Sequence, residues 1–229
     1  MVLGRRTPQR AGPTSELAGW AYLTRAMIAR YQRLPRQSAA LAAKGLQKAP
    51  LGTVAHARLA AHQMRATALD GDTKTATEAR RHAITALKAL PANAPTTGVY
   101  SINLAEDPPY TATSLLLSGQ HREAAAATRR VIQTCYVNES LRQGGSNPSG
   151  YARSLLVLGL AQAGTGDLDQ AAETGLAALN TGRPVWSTMA LAEQLNHTLT
   201  ESRAGHMASA FHARYREVAD QLSSRPKDH

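Results

Sequence analysis

Residues 160–179 read LAQAGTGDLDQAAETGLAAL, in which two alanine- and leucine-rich segments flank a short break of glycine, threonine and aspartate. Such a break marks a turn, and Asp167 suits the start of a helix, where a carboxylate accepts free backbone N–H groups. The small residues Ala171 and Ala178 recur on one side of the second segment, which lets two helices cross closely. This stretch predicts a helical hairpin.

The same layout occurs twice more in the chain. Residues 66–87 read ATALDGDTKTATEARRHAITAL, and residues 113–132 read TSLLLSGQHREAAAATRRVI. In each segment an alanine follows a few residues after a glycine-containing turn. The turn glycines Gly71, Gly119 and Gly166 are 48 and 47 residues apart. A layout that recurs at a nearly constant distance indicates a repeat architecture.

A helical pattern covers almost all of the chain beyond its first residues. Leu17, Trp20 and Leu23 follow one another at three-residue spacing, and breaks rich in Gly, Pro and Asp recur between such segments. Residues 1–13 are predicted to form a basic flexible tail. The predicted fold class is all-α, with one helical domain over residues 14–229. Its predicted parts are hairpins at 14–50, 51–91, 105–137 and 150–181, followed by capping helices over 185–223.

The three segments resemble the tetratricopeptide repeat, in which helical hairpins stack into a right-handed α-solenoid. The best copy carries Leu155, Leu158 and Gly159 before its turn and Ala171 and Ala178 after it. A standard repeat recurs every ~34 residues, so longer helices or linkers must account for the wider spacing here. The opening hairpin resembles a degenerate copy in which Arg33-Leu34-Pro35 replaces the Gly-Asp turn.

The resemblance implies a concave groove lined by the first helix of each hairpin. Arg58, Arg65 and Arg153 would suit a peptide carboxylate or acidic side chains, because a guanidinium binds a carboxylate through two parallel hydrogen bonds. The arginines also suit ordinary solvated positions and the leucines a core, and both interpretations stay open. The implied groove residues are Trp20, Met27, Arg30, Arg58, Arg65, Thr113, Arg153, Leu156 and Leu160, with Leu23, Ala61 and Leu116 beside them.

Two longer stretches resemble the C-terminal repeat regions of actinobacterial helix-turn-helix regulators of the Xre type. They are GLQKAPLGTVAHARLAAHQMRATALDGD over residues 45–72 and SLLVLGLAQAGTGDLDQAA over residues 154–172. In such regulators a DNA-binding head precedes the repeats. Residues 14–48 do not fit a recognition helix-turn-helix, because Leu34-Pro35 stands where that motif has a glycine-containing turn. The resemblance therefore implies a sensory or oligomerising part without the DNA-binding head.

Charge is unevenly distributed along the sequence. The chain holds 26 Lys or Arg against 16 Asp or Glu, a formal net charge of +10. The first 50 residues hold nine of the basic residues and one acid, Glu16. A basic half can attract nucleic acid, an acidic protein or a membrane surface, or can simply be an arginine-rich solvated surface. Aromatic residues make up 4% of the chain, which argues against a base-stacking platform.

Sequence motifs for catalysis or metal binding are not evident. The chain has no G-x-S-x-G, P-loop or G-x-G-x-x-G motif. His56 and His62 are six residues apart, as are His206 and His212, which turns each pair to opposite sides of a helix. Cys135 is the single cysteine, so there is no intrachain disulfide and no cysteine zinc cluster. The sequence predicts no catalytic residues, no metal site and no cofactor.

Three functional hypotheses follow from these observations. The first is a non-enzymatic module that binds a peptide or protein, with an acidic partner compatible with the charge, in bacterial regulation or signalling. The second is a secondary-metabolism enzyme or small-molecule-binding protein on the same scaffold, which would need convergent polar groups such as His62, Tyr110, Tyr151 or Glu106. The third is a DNA-associated regulator. We expect a cytoplasmic protein that is not in the membrane, and a homodimer stays open.

Overall fold

The computed structural model describes residues 13–96, 98, 100–102, 107–143, 148–181, 185–202 and 206–224. These residues form eleven α-helices and no β-strand, which confirms the all-α class. None of these helices is both long and apolar enough to cross a membrane. The helices are α1 (Pro13–Tyr31), α2 (Pro35–Leu46), α3 (Val54–Leu69), α4 (Thr73–Lys88), α5 (Thr111–Leu117), α6 (His121–Cys135), α7 (Glu139–Gln143), α8 (Pro148–Gly164), α9 (Leu168–Leu179), α10 (Trp186–Glu201) and α11 (His206–Ser223).

Four helix–helix turns share one hydrogen-bond pattern. In each turn one residue has a left-handed backbone, and the N–H of the next residue donates to the carbonyl five positions earlier, which is the Schellman arrangement. The left-handed residues are Arg33 (φ 60°), Gly71 (φ 81°), Gly119 (φ 71°) and Gly166 (φ 87°). The bonds run from Leu34 to Ala29 (3.0 Å), Asp72 to Thr67 (3.1 Å), Gln120 to Leu115 (2.9 Å) and Asp167 to Gln162 (3.0 Å).

The turn at Arg33-Leu34-Pro35 thus has the same backbone geometry as the three glycine turns. Pro35 is the first residue of α2, where its missing N–H leaves no hydrogen bond unmade and its restricted φ already suits a helix. The first hairpin therefore has the same kind of turn as the others, with an arginine at the position that glycine occupies elsewhere. The described part of the chain contains four such hairpins: α1–α2, α3–α4, α5–α6 and α8–α9.

The chain divides into two compact units, Met1–Tyr110 and Thr111–His229. The division falls inside the predicted third hairpin, 105–137. In the first unit, α1 packs against α2 and α3 packs against α4. Helix α3 also contacts both α1 and α2, so the second hairpin lies against the first. The core beneath α3 includes Leu23, Ala26, Ala42, Ala55 and Leu59.

The second unit repeats this packing. Helix α5 packs against α6 and α8 against α9, while α8 also contacts both α5 and α6. Helix α10 packs against α8, and α11 packs against α9 and α10. The core of this unit is centred on large side chains from three helices: Leu156, Leu160, Leu195, Leu199 and Phe211.

Small residues lie where the paired helices cross, as the sequence predicted. Ala76, Ala124 and Ala171 each follow a turn glycine by five residues, and all three are buried. A Cβ atom added to Gly159 would lie 3.1 Å from the backbone oxygen of Ala171, so a side chain at that point would push α8 and α9 apart by a few tenths of an ångström. Alanine and glycine therefore set the distance between the helices.

Candidate functional site

Three side chains share one side of α3 in the first unit. Arg58, His62 and Arg65 follow one another at spacings of four and three residues, which places them above one another on a helix. The helix begins at the cap Thr53, whose hydroxyl accepts a hydrogen bond from the N–H of His56 (3.3 Å). Both arginines are half-buried, whereas His62 is 1% exposed. One buried ring thus lies between two guanidinium groups along the helix.

Arg58 is held at one end of this row by a carbonyl group and an aromatic ring. Its Nη1 donates a hydrogen bond of 2.7 Å to the backbone oxygen of Ser101. Its guanidinium carbon lies 5.9 Å from the centre of the Trp20 ring, within the range of a cation–π contact. Trp20 in turn meets the ring of Tyr100 edge to face, with the ring centres 4.9 Å apart.

His62 is hydrogen-bonded to a buried serine on α2. The Oγ atom of Ser38 donates to the backbone oxygen of Ala26 (2.7 Å) and lies 2.9 Å from Nε2 of His62. Ser38 thus links the carbonyl of Ala26 on α1 to the ring of His62 on α3, and the tautomer of His62 decides which of the two side chains donates to the other.

His62 is neutral because it is buried near positive charges. Burial lowers the pKa of His62 to about 4, although a hydrogen bond with the backbone of Ala26 acts in the opposite direction. The positive charges of Arg30, Arg65 and Arg58 lower this pKa further. Three guanidinium groups thus lie close enough to one buried ring to disfavour its protonation. The ring marks a position where positive charge accumulates.

Arg65 and Tyr110 form the other end of the row. The guanidinium carbon of Arg65 lies 4.9 Å from the centre of the Tyr110 ring, and the rings of His62 and Tyr110 meet edge to face at 6.4 Å. Tyr110 has a left-handed backbone with φ of 70°, which is uncommon for a bulky residue. Backbone strain of this kind concentrates at functional positions. Tyr110 is thus held in a strained conformation against the basic side of α3.

The predicted groove residues of α1 lie beside the same row. Trp20, Met27 and Arg30 are half-buried, and Trp20 and Met27 pack against the core that α1 shares with α3. The guanidinium carbon of Arg30 lies 4.0 Å from the centre of the exposed Tyr31 ring. We use the name arginine face for the surface formed by Arg30, Arg58 and Arg65 around His62, with Trp20, Tyr100 and Tyr110 at its edges.

The remaining predicted groove residues belong to the second unit. Thr113 is half-buried on α5. Arg153 is half-buried on α8 and donates to the Oγ atom of Ser149 (3.4 Å). Leu156 and Leu160 are 0% and 5% exposed and belong to the core of this unit. These two leucines serve packing, whereas Thr113 and Arg153 reach the surface.

The residues of the small-molecule hypothesis belong to both units. His62 and Tyr110 meet in the first unit, as described above. Tyr151 lies in the second unit, where its ring centre is 5.3 Å from that of Tyr136 and 5.7 Å from the guanidinium carbon of Arg142. Glu106 lies outside the described residues. Within the described ranges, no three or more His, Cys, Asp or Glu side chains are grouped as a metal would require.

A cavity of about 510 Å³ lies in the second unit and is lined by residues 119–123, 164 and 165. It is open to solvent and contains none of the predicted site residues. The Nδ1 atom of His121 is buried there without a hydrogen-bond partner among the described residues. His121 as a whole is only half-buried, and the other polar lining residues Arg122, Glu123 and Thr165 are exposed, so the polar groups of this cavity lie mostly in solvent.

Sequence reasoning missed the contacts that hold the arginine face in place. Ser38 precedes His62 by 24 residues, and Ser101 follows Arg58 by 43. Nothing in the local sequence around Ser38, Tyr100 or Ser101 marks them, because only the packing of the hairpins brings them to α3. No protein-family model, curated protein or solved structure matches the chain, so its function is inferred from this geometry.

Proposed function

We propose that the chain is a tetratricopeptide-like repeat protein that binds an acidic segment of a partner protein and catalyses no reaction. In this proposal the hairpins continue one another as a right-handed solenoid, closed by α10 and α11. The protein acts in regulation or signalling in a bacterial cytoplasm, as the Xre-type resemblance implies. The binding surface is the arginine face of the first unit.

The repeated hairpins support the scaffold in this proposal. Four turns share one hydrogen-bond pattern, and three of them are the turns at Gly71, Gly119 and Gly166 that the sequence predicted. In each unit, the first helix of a later hairpin contacts both helices of the hairpin before it. Stacked hairpins of this kind build a continuous core and present one helix of each pair on a common side.

The convergence of Arg30, Arg58 and Arg65 around a neutral histidine is the observation that carries the binding function. Residues 17–69, which include α2 and α3 and nearly all of α1, contain eight Lys or Arg and no Asp or Glu. Helices α1, α2 and α3 therefore offer hardly any negative charge of their own to offset the positive charge of the face. An acidic segment would supply that charge, and half-buried guanidinium groups bind carboxylates more strongly than fully exposed ones.

Peptide binding by charge-reversed variants tests this proposal. The probe is a fluorescein-labelled peptide of alternating Glu and Gly, with a Gln–Gly peptide as the uncharged reference. We expect the wild-type protein to bind the Glu–Gly peptide and not the reference. Arg30→Glu with Arg58→Glu should weaken binding by at least about tenfold, because close charge pairs across an interface are worth more than 1.4 kcal/mol. Fluorescence anisotropy measures the dissociation constant of each peptide for the wild type and for the variant.

The matched control is Arg25→Glu with Arg81→Glu, which changes the charge of the same unit by the same amount at exposed positions outside the face. This control should bind the Glu–Gly peptide within about twofold of the wild type, a difference well under 1 kcal/mol. Equal losses in both double variants would show that only the overall charge matters and would overturn the site. Binding of duplex DNA in preference to the peptide would favour the DNA-associated alternative.

A further inference from the structure

The two arginines of α3 stand a defined distance apart on the same side of the helix. Arg58 and Arg65 are separated by seven residues, which is close to two full turns. At 1.5 Å per residue their Cα atoms are about 10 Å apart along the helix axis. The contacts of Arg58 with Ser101 and Trp20, and of Arg65 with Tyr110, hold the two side chains in place. The two arginine side chains therefore leave the same side of α3 from Cα atoms about 10 Å apart.

Aromatic side chains lie beside each of the two arginines. Trp20 and Tyr100 lie beside Arg58, and Tyr100 is 60% exposed. Tyr110 lies beside Arg65 and is half-buried. Between the two ends lies the buried ring of His62 rather than a continuous apolar groove. An amphipathic helix needs such a groove, so a helical ligand is poorly suited to this surface.

A polyproline II segment suits both the spacing of Arg58 and Arg65 along α3 and the aromatic rings beside them. It has three residues per turn and rises ~3.1 Å per residue, so side chains at i and i+3 point to the same side about 9 Å apart. In a β-strand, side chains at i and i+3 point to opposite sides. Proline-rich segments in this conformation bind surfaces lined with aromatic rings, and they lose little entropy on binding because their shape is already formed.

Building on the proposed function, we propose that the arginine face recognises an extended, proline-containing acidic segment with carboxylates at positions i and i+3. One carboxylate binds Arg58 and the other binds Arg65, which has enough N–H groups to keep its present contacts. The two prolines between the carboxylates keep the segment in the polyproline II conformation that sets this spacing. Arg30 adds positive charge between the two ends.

The ligand also changes the surroundings of His62 in a measurable way. The charges of Arg30, Arg58 and Arg65 lower the pKa of His62, and two bound carboxylates offset those charges. Binding therefore raises the pKa of His62.

Three labelled peptides with equal charge test the spacing. One contains Glu-Pro-Pro-Glu, the second contains Pro-Glu-Glu-Pro with the same composition, and the third is an alanine-rich helical peptide with glutamates at i and i+7. We expect the Glu-Pro-Pro-Glu peptide to bind at least about tenfold more tightly than either of the others. Pro-Glu-Glu-Pro does not place both carboxylates on one side, and the helical peptide, although its glutamates have a similar spacing, finds no apolar groove for its helix. NMR titration of the His62 ring should show its pKa rising only with this peptide.

Variants of the two arginines complete the test. Arg58→Gln and Arg65→Gln should each reduce binding of the Glu-Pro-Pro-Glu peptide to the level of Pro-Glu-Glu-Pro, while Arg81→Gln should leave it unchanged. Circular dichroism confirms that each variant keeps its helices. Equal binding of all three peptides, still sensitive to Arg30→Glu with Arg58→Glu, would overturn the spacing and keep the proposed function. Failure of every acidic peptide to bind would overturn both.

Discussion

His62 shows how one buried side chain joins the fold to the candidate site. His62 belongs to α3, and its buried ring is hydrogen-bonded to Ser38 on α2. The bond ties the two hairpins of the first unit together below the arginine face. Because the ring stays neutral while three guanidinium groups surround it, His62 supports this surface without adding to its charge.

The pKa of His62 predicts how the stability of the protein changes with pH. The folded-state pKa is about 4, against 6.5 in the unfolded chain. As the pH falls from 6.5 to 4 the unfolded chain binds a proton that the folded protein does not, so the free energy of unfolding decreases. The free energy of unfolding falls by roughly 3 kcal/mol as the pH is lowered from 6.5 to 4, and it recovers as the pH is raised again. Urea denaturation at a series of pH values measures it.

The variant His62→Gln keeps a hydrogen-bonding side chain but cannot titrate. Its free energy of unfolding should depend less on pH between 4 and 6.5 than that of the wild type. His82→Gln is the control, because His82 is exposed and its pKa is lowered only by partial burial and by the charge of His56. The same pH dependence in the wild type and in His62→Gln would contradict the assignment.

At the scale of the element, the shared turn explains why the hairpins form where they do. Glycine adopts a left-handed backbone without steric strain, whereas any other residue there brings its Cβ close to the following carbonyl oxygen. Gly71, Gly119 and Gly166 meet this need, and Arg33 does not. The first hairpin therefore carries strain that the other three lack.

Replacing Arg33 by glycine should relieve that strain. The side chain of Arg33 is exposed, so the change removes little packing. We expect Arg33→Gly to raise the free energy of unfolding by about 1 kcal/mol, somewhat reduced by the greater freedom of glycine in the unfolded chain. The reverse change, Gly71→Ala, should lower it by a similar amount. Thermal and urea unfolding show whether each variant is more or less stable than the wild type. A loss of stability in Arg33→Gly would contradict this account.

Most helix boundaries could be predicted because they depend on local residues. Proline, glycine and aspartate mark the ends of α3, α4, α8 and α9, which form the predicted hairpins 51–91 and 150–181 to within three residues at each end. The short helix α7 was not predicted, because five residues carry no readable hydrophobic period. Leu156 and Leu160 were assigned to a groove, although they are buried in a core that also contains α10 and α11. Their burial depends on residues more than 25 positions away, which a repeat pattern does not specify.

The candidate site could be predicted only in part for the same reason. The spacing of Arg58 and Arg65 on one helix is visible in the sequence. The contact of Arg58 with Ser101 and that of His62 with Ser38 are not, because they join segments that only the tertiary fold brings together. The sequence pattern of one helix can show which side of it is basic, but it does not show which residues from other segments hold those side chains in place.

At the scale of the whole molecule, the charge separates along the chain. Residues 1–110 contain 15 Lys or Arg and six Asp or Glu, whereas residues 111–229 contain eleven and ten. The excess of positive charge therefore belongs to the unit that carries the arginine face. An acidic ligand approaching the protein is attracted to that unit over a distance of about one Debye length.

This charge distribution predicts a strong effect of salt on peptide binding. The dissociation constant of the Glu–Gly peptide should rise by about tenfold when NaCl is raised from about 50 mM to about 500 mM, because the screening length shortens. The change should come mainly from slower association. Stopped-flow fluorescence at the two salt concentrations separates the two rates. A dissociation constant that does not respond to salt would show that the peptide is held by apolar contacts.

The alanine-rich crossings have a mechanical consequence for the first unit. Ala26, Ala42 and Ala55 lie in the core beneath α3, and alanine has no rotamers to exchange. When a ligand pulls on Arg58, few side chains below can rearrange to absorb the displacement. Under the proposed function, α3 would therefore answer a pull on Arg58 as one rigid body, and the backbone best able to adjust would be at Gly52 and Gly71, which have positive φ.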